Sequence, residues 1–134
     1  MIGVGQEFPY FVKNGVDYVN AMCEVAYDDF NGWKVYYFYP KDFTFICPTE
    51  IKGMDMLTPE ATVVGFSGDN EFCKLAWKEN NELIKDIQHT LACDSGLELS
   101  KTLGIYDKLN GVCYRATYIV DPDGIIAHLS LIHI

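Results

Sequence analysis

The strongest pattern in the chain is an unbroken apolar and aromatic run, Val35-Tyr36-Tyr37-Phe38-Tyr39. A run of strand length with no polar side predicts a strand buried on both faces, as inside a parallel sheet. Thr62-Val63-Val64-Gly65-Phe66 has the same character and predicts a second buried strand. Between the two, Thr44-x-x-Cys47 followed by Pro48-Thr49-Glu50-Ile51 predicts a helix start. Thr44 is a candidate N-cap, proline is tolerated only in a first turn, and Glu50 sets a carboxylate near the positive end. This helix is expected to run to about Leu57, with Gly53 weakening it by about 1 kcal/mol. Thr58-Pro59 ends it.

The flanking segments carry weaker patterns. Phe8 to Val12 contains a proline and reads as an edge or extended segment. Tyr18 to Tyr27 alternates loosely and predicts a short strand, and Asp28 to Gly32 is a turn leading into the central strand. Ser67-Gly68-Asp69-Asn70 is a capping turn that opens a helix from Glu71 to about Leu83. On that helix Phe72, Leu75, Ala76, Glu79 and Leu83 fall near one face, with Cys73 and Trp77 on a neighbouring one. Leu91-Ala92-Cys93 is a short strand, and Ser95-x-x-Glu98 is a capping box for a helix from Leu97 to Leu103, closed by Gly104. Tyr114 to Asp121 is a strand, Pro122-Asp123-Gly124 a hairpin turn, and Ile125 to Ile132 the returning strand. The order is strand–helix–strand–helix, then helix–strand–strand. It predicts an α/β fold with a mixed central sheet and helices on both faces, and residues 1–134 are expected to form a single domain.

Composition narrows the function classes. A net charge of −9 argues against a nucleic-acid surface, which needs clustered Lys and Arg, so no nucleic-acid partner is expected. No apolar run approaches the length of a membrane span, and Met1 to Glu7 lacks the basic and apolar regions of a signal peptide. Five cysteines, Cys23, Cys47, Cys73, Cys93 and Cys113, form no C-x-x-C pair. That argues against a disulfide-stapled domain and against a zinc site, and for a reducing, cytoplasmic setting. His89 and Cys93, four apart, would be half a metal site with no second pair. His128 and His133 fall on opposite faces of a strand. No metal and no cofactor are expected.

Chemistry concentrates on Cys47. A cysteine in the first turn of a helix meets unpaired backbone N–H groups and a partial positive charge, both of which favour the thiolate. A cation would favour it further, and the chain holds nine lysines and a single arginine, Arg115. Phe38-Tyr39-Pro40-Lys41-Asp42-Phe43-Thr44-Phe45-Ile46-Cys47-Pro48-Thr49-Glu50 resembles the peroxidatic-cysteine motif of the peroxiredoxins, in the typical two-cysteine (alkyl hydroperoxide reductase) form. Gly65-Phe66-Ser67-Gly68-Asp69, Leu75-Ala76-Trp77 and Tyr114-Arg115-Ala116-Thr117-Tyr118-Ile119-Val120-Asp121 follow in family order, so the resemblance covers nearly the whole chain.

The resemblance implies a thioredoxin-like fold, which the element order fits. It implies a thiol-dependent peroxidase that reduces hydrogen peroxide, alkyl hydroperoxides or peroxynitrite, with Cys47 becoming a sulfenic acid. In that reading Thr44 bonds both sulfur and peroxide, Pro40 shields the thiolate from water, and Arg115 supplies charge and fixed donors. Glu50 is the candidate to orient Arg115. Trp77 is expected near the wall of the site. Thioredoxin or a dedicated disulfide reductase would be the electron donor, and a homodimer or ring of dimers the assembly. Cys23, Cys73, Cys93 and Cys113 match no resolving position and are expected to be structural or incidental. The family's C-terminal segment, with its resolving cysteine in a Val-Cys-Pro context, has no counterpart here. The chain is therefore expected to be a shortened or early-ending form, with a partner subunit covering an apolar sheet face. The alternative is a redox-gated binding or chaperone module whose assembly follows oxidation of Cys47. A thioredoxin-like disulfide reductase is disfavoured by the missing C-x-x-C.

Overall fold

The computed structural model describes residues 2–42 and 47–132, apart from the side chains of Cys47 and Ile132. In chain order, Val12–Val16 (β1) and Met22–Ala26 (β2) form a hairpin, and a short 3-10 turn leads to Lys34–Phe38 (β3). Cys47–Met54 (α1) continues as a 3-10 turn to Leu57, before Thr62–Ser67 (β4) and Glu71–Asn80 (α2). Then come Thr90–Cys93 (β5), Glu98–Leu103 (α3), and a small hairpin of Tyr106–Asp107 (β6) and Val112–Cys113 (β7). Arg115–Val120 (β8) and Ile126–Ile132 (β9) close the chain as a hairpin.

Seven strands make one sheet in the order β2-β1-β5-β4-β3-β8-β9. β3 is parallel to β4 and antiparallel to β8, and β4 is parallel to β5, so the sheet is mixed as predicted. All five residues of β3 are buried, which is what its lack of a polar side requires. One sheet face presents Tyr36, Phe38, Val64, Phe66, Ala92 and Tyr118, covered by Leu99 and Leu103 of α3 and by Phe8 and Phe11. The other presents Val35, Tyr37, Val63 and Leu91, covered by Ile51 of α1, Trp77 of α2, and Ile84 and Ile87.

The structure departs from the sequence pattern in four places. Val12–Val16 is a strand that begins where the expected extended segment, Phe8 to Val12, ends. Gly15 lies so close to β5 that a Cβ there would sit 2.7 Å from the Leu91 carbonyl oxygen. α2 stops at Asn80 rather than near Leu83. The Asn80 side chain donates to the Ala76 carbonyl and the Asn81 side chain accepts from the Leu83 N–H, so both compete with the helical ladder. α2 buries Lys74, Trp77 and Lys78, and leaves Phe72 66 % exposed. The capping box at Ser95 and Glu98 is absent. The buried Asp94 carboxylate caps α3 instead, accepting from the N–H groups of Leu99 at 2.9 Å and Ser100 at 2.8 Å. Gly104, at φ 83°, closes α3 in the left-handed conformation as expected.

A polar bridge runs beneath α1. The Tyr37 ring crosses Gly65 of β4, where a Cβ would meet it at 2.5 Å, and its hydroxyl lies 2.6 Å from His89 Nε2. His89 Nδ1 lies 2.7 Å from Asp55 Oδ1. An ionised carboxylate only accepts, so Nδ1 carries the proton and the neutral ring accepts from Tyr37 through Nε2. Burial pushes the His89 pKa below its usual 6.5, against the opposing pull of Asp55. A His with a depressed folded pKa contributes stability above the unfolded value and loses it as pH falls toward the folded one. The urea midpoint is therefore expected to drop as pH falls below about 6.5, the ordinary value, toward the lowered folded one, with a shallower pH dependence in His89→Gln. A dependence unchanged by that substitution contradicts the assignment.

Candidate active site

The site gathers where β3 ends and β8 begins. Position 47 opens α1, in the first turn where the dipole favours an anion. Glu50, one turn later, forms an ion pair with Arg115 at the start of β8. Both side chains are largely shielded, at 25 % and 11 % exposed. Helical spacing sets position 50 on the same side as position 47. The guanidinium pinned by Glu50 is thus held beside the opening turn of α1. Of the sequence-derived site residues, Pro40 and Arg115 line one recess of about 180 Å³, with Asp107, Asn110, Val112, Cys113 and Tyr114. Thr44 lies outside the described residues. Trp77 of α2 is buried in the same core cluster as Ile51 of α1, its ring 5.9 Å from that of Tyr39.

Two features of this region carried no clear signal in the sequence. The β6–β7 hairpin, which supplies much of the recess wall, is too short to show a period, although Asn110-Gly111 marks its turn. The other is a buried polar cluster next to Pro40. Lys74 Nζ, fully buried on α2, reaches Asp42 Oδ1 at 3.3 Å and the Tyr39 hydroxyl at 3.0 Å, and donates to Ser67 Oγ. The Tyr39 hydroxyl donates to Asp42 Oδ1 at 2.7 Å. The Asp42 N–H donates to Asp69 Oδ2 at 2.6 Å. Burial pushes the Asp42 carboxyl pKa up while the Lys74 ammonium pulls it down. Asp42, Asp69 and Cys73 bring ligand atoms within 4.8 Å of one another, but the cation among them is Lys74.

The four other cysteines are free thiols of a different kind. Burial raises Cys23 and Cys73 above the ordinary thiol value and pushes Cys93 and Cys113 up to about 12. Cys113 donates to the Tyr39 carbonyl at 3.1 Å. Buried thiols such as Cys93 and Cys113 pack rather than react.

A cysteine position at a helix start, beside a pinned guanidinium on a mixed α/β sheet, is the arrangement of a thiol-based redox protein. Residues 4–129 match the model of the AhpC/TSA family. The chain belongs to that family: it is a peroxiredoxin of the alkyl hydroperoxide reductase C type, with the thioredoxin-like fold. It is 32 % identical over 148 residues to alkyl hydroperoxide reductase C of Mycolicibacterium smegmatis, covering 98 % of this chain and 75 % of that one. It is 36 % identical over 138 residues to the mitochondrial thioredoxin-dependent peroxide reductase of Mus musculus, covering 96 % and 53 %. The chain therefore spans from about half to three-quarters of the length of these curated relatives. Among solved structures, Enterococcus faecalis AhpC superposes with a TM-score of 0.92 at 27 % identity, covering 100 % of this chain and 83 % of that one. The reduced 2-Cys peroxiredoxin of Plasmodium vivax gives 0.90 at 31 % identity, covering 99 % and 74 %.

Iodoacetamide at pH 7 is expected to leave Cys93 and Cys113 unmodified in the native protein and to label them once urea unfolds it. Peptide mass spectrometry reads the difference. Labelling of either in the native state would contradict their burial.

Proposed function

We propose that this chain reduces hydrogen peroxide and alkyl hydroperoxides through Cys47, the thiol-dependent peroxide reduction that characterises its class. The observation that carries the reading is the Glu50–Arg115 pair, which joins the first turn of α1 to β8. The Cys47 thiolate attacks one peroxide oxygen, the O–O bond breaks, and the leaving alkoxide or hydroxide takes a proton. Sulfur gives up two electrons and becomes a sulfenic acid. Arg115 stabilises the thiolate before the step and the developing oxyanion during it, with its planar fork fixed by Glu50. Pro40 offers no N–H and walls the recess from water. Thr44, outside the described residues, takes its role of bonding sulfur and peroxide from the sequence motif alone.

Recycling needs an external thiol. It attacks the sulfenic acid, releases water, and forms a mixed disulfide that a second thiol resolves. A thioredoxin-type donor is the reading that the name of the mouse relative supports. A reducing, cytoplasmic setting accords with five cysteines lacking a C-x-x-C pair. Exposed Phe72 on α2 and exposed Trp33 are apolar surface that self-association would cover. The redox-gated chaperone alternative draws no specific support from the fold or the relatives.

Cys47→Ser is expected to abolish peroxide consumption with dithiothreitol as donor, followed by the loss of peroxide. Turnover that survives this change overturns the reading. Arg115→Lys keeps a charge but loses the fork, and is expected to lower the rate constant with peroxide by about a hundredfold. A near-unchanged rate would remove Arg115 from the mechanism.

A further inference from the structure

The Lys74 cluster is buried charge that the peroxide chemistry does not use. It lies at one end of the segment that carries Cys47. Asp42 is held twice, through its main-chain N–H by Asp69 and through its carboxylate by Lys74, Tyr39 and Ser67. These partners come from the end of β3, the end of β4, the turn after it, and α2. Tyr39, Ser67 and Lys74 are fully buried, and Asp42 is 4 % exposed. The other end of the segment is held by the Glu50–Arg115 pair. Only four residues, 43–46, separate Asp42 from Cys47 in the sequence, so Asp42 is the nearest described anchor on the N-terminal side of the reactive position.

We propose that Lys74 is a positioning residue for peroxide reduction: by clamping Asp42 it fixes the chain on the N-terminal side of Cys47. Lys74 touches neither sulfur nor peroxide and acts through Asp42. An ammonium in a fully buried site needs acceptors on every side, and it finds a carboxylate, a phenol and a hydroxyl. The inference rests on Cys47 being the peroxidatic thiol. If Cys47→Ser retains turnover, that reading fails. If Cys47→Ser is dead and the Lys74 variants are unaffected, only this inference fails.

The test uses Lys74→Met and Asp42→Asn, each read for melting temperature, Cys47 pKa by pH-dependent alkylation, and the rate constant with hydrogen peroxide. A charge acting at a distance shifts the Cys47 pKa in opposite directions in the two variants. Loss of the clamp slows the reaction in both, even at a pH where Cys47 is fully ionised, by about tenfold or more. That common loss, in variants still folded at the assay temperature, is the expected result. Plateau rate constants within about twofold of the parent overturn the proposal, whatever happens to the melting temperature. Opposite pKa shifts with intact plateau rates also overturn it. Should Lys74→Met fail to fold, Asp42→Asn, which keeps the side-chain shape, decides by the same plateau rate.

Discussion

The ion pair between Arg115 and Glu50 is the interaction on which the site depends. It joins two parts of the chain 65 residues apart, a strand near the end of the sequence and the first turn of a helix near the middle. Its value is geometric more than energetic. A partly shielded pair regains in attraction roughly what its groups lose in hydration, so it adds little net stability. What it supplies is a planar guanidinium held at a set angle beside the positive end of α1. A lysine on a flexible stem would bring the charge without the orientation.

That pair is one of two electrostatic anchors around residues 43–46. The second is the Lys74–Asp42 pair, which differs in kind because both side chains are fully buried. Removing one partner of such a pair leaves an unmatched charge and costs roughly 3–5 kcal/mol, whereas an exposed pair costs little to break. The two anchors share one edge of the sheet because of strand direction. β3 and β4 are parallel and end together, and β8, antiparallel to β3, begins there. Open α/β sheets place their ligands at this carboxyl edge, and the mixed topology brings the arginine to it from the opposite direction.

Much of this was readable from residue patterns, and the exceptions share a cause. β3 and β4 declared themselves because a strand buried on both faces cannot hide its composition. The first turn of α1 and the β8–β9 hairpin were legible through Pro48, Glu50 and the Pro-Asp-Gly turn. The Lys74 cluster was not. A lysine on an amphipathic helix reads as solvated, and its burial is decided by acceptors 35 and 32 positions away in Tyr39 and Asp42. Asp94 capping α3 was missed for a related reason. The Ser95–Glu98 spacing gave a local rule to follow, while Gly96 and Leu97 at positive φ turn the chain so that Asp94 faces the free N–H groups instead. β1 depended on Gly15 fitting against β5, a contact between distant segments.

The five cysteines show how the fold, and not the residue type, selects the reactive sulfur. All would titrate alike in an unfolded chain. Cys93 lies in β5 and Cys113 in β7, both buried, where there is no free backbone N–H array to solvate an anion, and burial holds them as thiols at neutral pH. Cys73 sits in the first turn of α2, the same kind of position as Cys47 in α1. There the Asn70 side chain takes the Cys73 N–H, and burial first, then the Asp42 and Asp69 carboxylates, raise the thiol pKa against the pull of Lys74. A helix start is therefore insufficient by itself. α1 presents its first turn to a guanidinium, and α2 presents its own to two carboxylates. Burial and neighbouring carboxylates hold the Cys73 sulfur as a thiol, whereas position 47 opens a helix whose next turn pins a guanidinium.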